Sequence, residues 1–198
     1  METPNGDLFS ATMVGDVSAA RAALAAGADA NFSNALGMTP LLVACGGMGP
    51  PAMLSLLLAS GARVDQPDGA GWTPLIFVAS SGQLPLLRLL LGAGADVHAA
   101  CRERGWQPLT RAAYRGHAQV VEALLDAGAD ARGTTEGKTA LAWARLGGHD
   151  AVARLLEERG GALEGGAAAM VASTPPSSGA QAMVAVGPRG GEGGEHCD

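Results

Sequence analysis

Gly71-Trp72-Thr73-Pro74-Leu75 opens a stretch that closes at Gly94-Ala95-Asp96, and both pieces return along the chain. The first is echoed by Gly37-Met38-Thr39-Pro40-Leu41, Gly105-Trp106-Gln107-Pro108-Leu109 and Gly137-Lys138-Thr139-Ala140-Leu141, successive copies lying 34, 34 and 32 residues apart. The second is echoed by Gly27-Ala28-Asp29, Gly61-Ala62-Arg63, Gly128-Ala129-Asp130 and Gly160-Gly161, at steps of 34, 33, 34 and 32. Two markers on one beat define a repeat of five units, at about 4–34, 35–67, 68–100, 101–133 and 134–163.

The chemistry of one unit follows from its residues. Thr73 can cap a helix with its hydroxyl, and Pro74 fits the first turn, where its missing N–H costs nothing. That helix is expected over Pro74 to Ser81, ending at Gly82. A second is expected over about Pro85 to Gly92, carrying Leu86, Leu87, Leu89, Leu90 and Leu91 and stopped by Gly94 at positive φ. A β-turn finger rich in Gly, Asp and Ala then leads to the next unit. Two short helices with apolar residues on more than one side cannot bury their own surface, so neighbours must stack.

The interval, the Thr-Pro-Leu and the Gly-Ala-Asp together resemble the ankyrin repeat, with its period of about 33 residues and T-P-L-H-x-A signature. The expected fold is therefore all-α, an ankyrin-type helix-turn-helix solenoid with short β-turn fingers over residues 1–163. The first unit lacks Thr-Pro-Leu, begins as Leu8-Phe9-Ser10-Ala11-Thr12 and places its second helix at Val17 to Ala26, which suits an amino-terminal cap. In the fifth, Ala140 replaces proline, Arg145 takes a usually small, buried position, and Glu157-Glu158-Arg159 replace the last apolar turn. Those polar changes suit the other cap. The signature histidine is replaced by Leu42, Ile76, Thr110 and Ala142, so its hydrogen bonds are lost or remade. Gly46-Gly47-Met48-Gly49-Pro50-Pro51 holds one extra residue and reads as a loop, the expected mobile point of the body.

Composition sets the outer bounds. Of 198 residues, 47% are hydrophobic and 16% charged, enough apolar material for one core plus a tail. Net charge is −6, and Glu164, Glu192, Glu195 and Asp198 against Arg189 place −3 of it in the last 35 residues. No basic face for nucleic acid or an anionic membrane is expected. Residues 164–198 hold eight glycines with Pro175-Pro176-Ser177-Ser178, a composition expected to stay disordered. Cys45, Cys101 and Cys197 show no C-x-x-C spacing, which fits a reducing compartment. Cys45 is expected to pack as a small hydrophobe and Cys101 to lie exposed near a loop tip. The amino terminus has no basic or apolar leader region, and the longest apolar run, near Met53 to Ala59, is too short to span a bilayer. An intracellular, soluble monomer is the expectation.

Catalytic signals are weak. Gly133-Thr134-Thr135-Glu136-Gly137-Lys138-Thr139 imitates a phosphate-binding loop, but the motif needs four residues between its glycines and here there are three, with Arg132 at the required place. It also follows a helix, Val120 to Ala127, where a strand is demanded. His98, His117, His149 and His196 fall at no metal-ligand spacing. His117 and His149 each follow a glycine between helices, and a structural hydrogen bond is their expected role. No nucleophile motif is present, so no catalytic residue, metal or cofactor is expected.

The resemblance implies binding of other proteins on the concave side, formed by fingers and first helices. The residues preceding Thr-Pro-Leu, namely Met38, Trp72, Trp106 and Lys138, should form a ladder along it. Tyr114 and Arg115 fall on the first-helix face and Arg104 at a finger tip, with Arg102 and Arg111 also gathered around Trp106. Tryptophan, tyrosine and arginine are enriched among interface hot spots. The expected partner-binding set is Met38, Trp72, Arg104, Trp106, Tyr114 and Arg115, with an acidic or carboxylate-bearing peptide as ligand. The plainer reading gives the rings a packing role and the arginines a solvated loop, partly paired with Glu103. The function expected is a non-catalytic adaptor; the alternative is a structural spacer whose tail carries the partner motif, and an enzyme has least support.

Overall fold

The computed structural model describes residues 3–160; the tail expectations for 164–198, with His196 and Cys197, lie outside the described residues. Ten α-helices follow in five antiparallel pairs: α1 Pro4–Val14 and α2 Val17–Ala25, α3 Pro40–Val43 and α4 Pro51–Ala59, α5 Pro74–Ser81 and α6 Leu84–Gly92, α7 Pro108–Arg115 and α8 Ala118–Asp126, α9 Ala140–Leu146 and α10 Asp150–Glu158. First helices pack on first helices and second on second, giving two rows. Before α9, β1 Thr134–Thr135 and β2 Lys138–Thr139 form an antiparallel ribbon. Its turn carries Glu136 at φ 50° and Gly137 at φ 73°, the positive pair that a two-residue hairpin requires.

The markers act locally as their chemistry dictates. Thr39, Thr73 and Thr139 accept from the backbone N–H of Leu42, Ile76 and Ala142 at 3.2, 3.5 and 3.3 Å. The glycines of the second marker take φ between 84° and 94°. The aspartate two residues later folds the next turn, since Asp29, Asp96 and Asp130 each accept through Oδ1 from the N–H two positions on. Leu8, Leu41, Leu75, Leu109 and Leu141, one per unit, are all 2% exposed or less. Burying each stabilises the stack by about 1.5–3 kcal/mol relative to leaving it in water. Second helices complete the core with Met53, Leu54, Leu57, Leu87, Leu90, Val121, Leu124 and Leu156. Cys45 belongs to the same core, and burial pushes its thiol up to about 12.

The first unit lacks Thr-Pro-Leu as expected, yet its helix starts by the same chemistry: Thr3 Oγ1 accepts from Gly6 N–H at 3.3 Å and Pro4 opens α1, followed by Asn5. At 11 residues against eight for α5, α1 starts a turn earlier, so the marker lies out of phase. The run from Gly46 is not a loop from its start, because the chain stays helical through a π turn, Ala44–Met48, until Gly49 turns extended at φ −104° and ψ 139°. One extra residue is thus absorbed by widening a turn. Arg145 is exposed and pairs with Glu157 at 2.6 Å. It sits on α9, the last first-row helix among the described residues.

The expected histidine role is found. His117 Nε2 lies 3.0 Å from the Ser80 carbonyl and His149 Nε2 3.0 Å from that of Tyr114, each ring reaching back to the preceding unit. The ring covers a left-handed glycine, Gly82 or Gly116, at which a Cβ would meet the imidazole at 2.6 or 2.5 Å. Glycine and histidine therefore depend on each other.

Candidate functional site

Replacing the signature histidine by Ile76 and Thr110 changes what sits beneath the fingers. Ile76, fully buried, forms a small apolar cluster with Cys101, Trp106 and Trp143, against which Trp72 and Tyr114 pack. Cys101 is thereby 3% exposed, not open at a loop tip as its neighbours suggest. Its backbone closes the finger: Cys101 N–H donates to the Trp106 carbonyl and Gly105 N–H to that of Cys101, both at 3.0 Å. Thr110 remakes the lost polar contacts. Gln107 N–H donates to its hydroxyl at 3.2 Å, that hydroxyl lies 3.0 Å from Thr135 Oγ1, and Thr135 donates on to the Gly105 carbonyl at 3.1 Å.

Three rings of this cluster meet one another. Trp106 lies 4.6 Å from Trp143 and 5.8 Å from Tyr114, centroid to centroid, while Tyr114 meets Trp143 edge-on at 5.5 Å. These separations suit the ring quadrupoles. Trp143 Nε1 donates to the Thr135 carbonyl at 3.1 Å, which fixes the ring in the cluster. Trp106 is only 5% exposed, so its ring positions its neighbours and offers little surface. Trp72 is half-buried against Phe77 at 5.3 Å, and Met38 is half-buried in its own finger base.

The guanidinium of Arg111 occupies the space between the two tryptophans of successive units, 5.0 Å from the Trp72 ring centroid and 5.1 Å from that of Trp106. Contacts of this kind contribute about 0.5–2 kcal/mol each. Its Nε donates to Ser80 Oγ at 3.2 Å. Burial, then the Arg115 charge, lowers its pKa below the ordinary arginine value, with Arg104 acting in the same direction. Among the described residues no carboxylate pairs with Arg102, Arg111 or Arg115, whereas Arg104 has Glu136 at 3.8 Å. Trp72, Cys101, Glu103, Arg104, Trp106 and Arg111 enclose an open depression of about 220 Å³. The structure thus brings together Trp72, Arg104, Trp106, Tyr114 and Arg115 of the expected set, while Met38 stands in an earlier finger. Arg111 is the central residue that the expected set omits.

Stacked helix pairs joined by turn fingers, with a ring and arginine cluster at the finger bases, define a helical repeat solenoid, and among the described residues no group of side chains is placed to hold a metal ion. A family model described as ankyrin repeats (3 copies) matches residues 8–101 and 79–163. The chain belongs to the ankyrin-repeat family, whose members generally serve as protein-protein interaction modules. Comparison with curated proteins gives no match. No helix among the described residues is long and apolar enough to cross a membrane.

Proposed function

We propose that this chain is a non-catalytic, monomeric intracellular adaptor that binds a partner protein on the face made by its first helices and fingers. Its centre is the cluster of Trp72, Arg111, Tyr114 and Arg115, and the partner presents an acidic segment. One observation carries the reading: several arginines converge on a half-buried aromatic platform without an internal carboxylate for Arg102, Arg111 or Arg115. Aromatic and arginine anchors are what interfaces spend their energy on, and guanidinium forks pair well with carboxylates. The free thiols of Cys45 and Cys101 agree with a reducing compartment.

The test is affinity capture by the full chain from its native cell, followed by binding measurements on the captured partner. Tyr114→Ala should weaken binding by roughly thirtyfold, the loss expected for a hot-spot aromatic. Arg115→Glu should weaken it as well, and Glu122→Ala on α8, whose carboxylate faces Arg159 at 3.6 Å, should leave it unchanged. Equal affinity for all three variants, each confirmed as folded, removes the proposal.

A further inference from the structure

We propose that Arg111 is the anchor of a carboxylate subsite, a fixed guanidinium fork that takes one aspartate or glutamate side chain of the bound partner. The inference rests on the adaptor reading and names the chemistry at its centre. An exposed arginine loses rotamer freedom whenever it binds an anion. Arg111 is already ordered before any ligand arrives, by two tryptophan rings and by its bond to Ser80. Both tryptophan rings lie about 5 Å from Cζ and Nε donates to Ser80 Oγ, so the terminal amino groups are the donors left for a ligand. Those groups offer a pair of N–H donors at the spacing of a carboxylate's two oxygens.

The surroundings fit a monoanion. Arg111 lines the depression together with Arg104, and Arg115 is close enough to lower its pKa, so positive potential converges there. Glu103 lines the same depression, and a doubly charged phosphate would be repelled by it about twice as strongly as a carboxylate. At about 220 Å³ the space suits a side chain and not a folded element. Trp72 and Trp106 come from successive units, so the subsite exists only when the third and fourth units are stacked.

The experiment uses the full chain labelled with nitrogen-15 and a short peptide, capped at both ends, with adjacent glutamates flanked by alanines. The Arg111 Nε–H resonance should shift saturably with this peptide and stay in place with its glutamine counterpart. Arg111→Lys keeps the charge and loses the fork, and should weaken the peptide at least about tenfold, since a hydrogen bond to a charged group carries that order of energy. Arg154→Lys, exposed on α10 and outside the cluster, should change it by less than about twofold. Equal shifts with the glutamine peptide, parent-like affinity of Arg111→Lys, or tighter binding of a phosphoserine peptide of the same sequence each overturns the assignment. With the captured partner, a loss for Tyr114→Ala but none for Arg111→Lys defeats the carboxylate subsite alone. A loss for neither defeats the adaptor face beneath it.

Discussion

The fingers of the second and third units and those of the fourth and fifth are held by different chemistry. In the earlier pair one side-chain oxygen closes the turn. Asn34 Oδ1 accepts from the N–H of Leu36 and Met38, and Asp68 Oδ1 from those of Ala70 and Trp72, at 2.8–3.0 Å. In the later pair Cys101 and Thr134 offer no such carboxamide or carboxylate, and the turns rest on Trp106, Trp143 and the hydroxyls of Thr110 and Thr135. A polar closure is self-contained. A closure by rings needs neighbours, and in collecting them it builds the platform on which Arg111 lies.

The largest test of that contrast is Trp106→Ala, expected to cost about 3–5 kcal/mol of stability for a buried aromatic. Met38→Ala, at the same place in an Asn-closed finger and half-buried, should cost less than half as much in denaturant unfolding. Matching losses would erase the distinction. Thr135→Val keeps the shape and cuts the relay to Gly105 and Thr110, leaving buried acceptors or donors unmatched at about 1–3 kcal/mol. A thermal midpoint unchanged from the parent would show that the rings alone hold the later fingers.

Local opening sharpens the comparison further. Amide exchange over Leu41 to Leu58, which includes the π turn, should be about tenfold faster than over Leu109 to Leu125, the signature of a locally weaker unit. Equal or reversed protection counts against a weak second unit. The smallest effect belongs to Asn34→Ala, about 1 kcal/mol, because the two N–H groups it releases lie near solvent and can turn to water. A cost equal to that of Trp106→Ala would mean that the polar turn is as deeply coupled as the aromatic one.

The repeat was legible because each marker residue satisfies a backbone demand by itself. A threonine hydroxyl caps a helix, a glycine takes positive φ, an aspartate folds the next turn, and none of these needs a distant partner. Thr3-Pro4 does the same capping off the beat, because α1 is longer. The glycines and prolines after Ala44 suggested a loop, yet a π turn tolerates glycine while keeping most helical bonds. The site was only half legible. Composition and phase gathered the aromatic and arginine residues, but which ring is covered is decided between units: Trp143 buries Trp106, and Trp72 and Trp106 clasp Arg111. Spacing along one chain gives the register of a unit and not the distance between side chains of two.

The histidine contacts give the stack a direction. Ring-to-carbonyl bonds tie the fourth unit to the third and the fifth to the fourth. Gln83, at the corresponding place in the third unit, turns instead to Ser81 of its own unit, and Pro50 holds that place in the second. In a one-dimensional array the neighbour terms decide where the ends fray, so unequal links make an asymmetric zipper. Such a zipper is expected to open first at its amino-terminal teeth, leaving the units that clasp Arg111 on the side that lets go last.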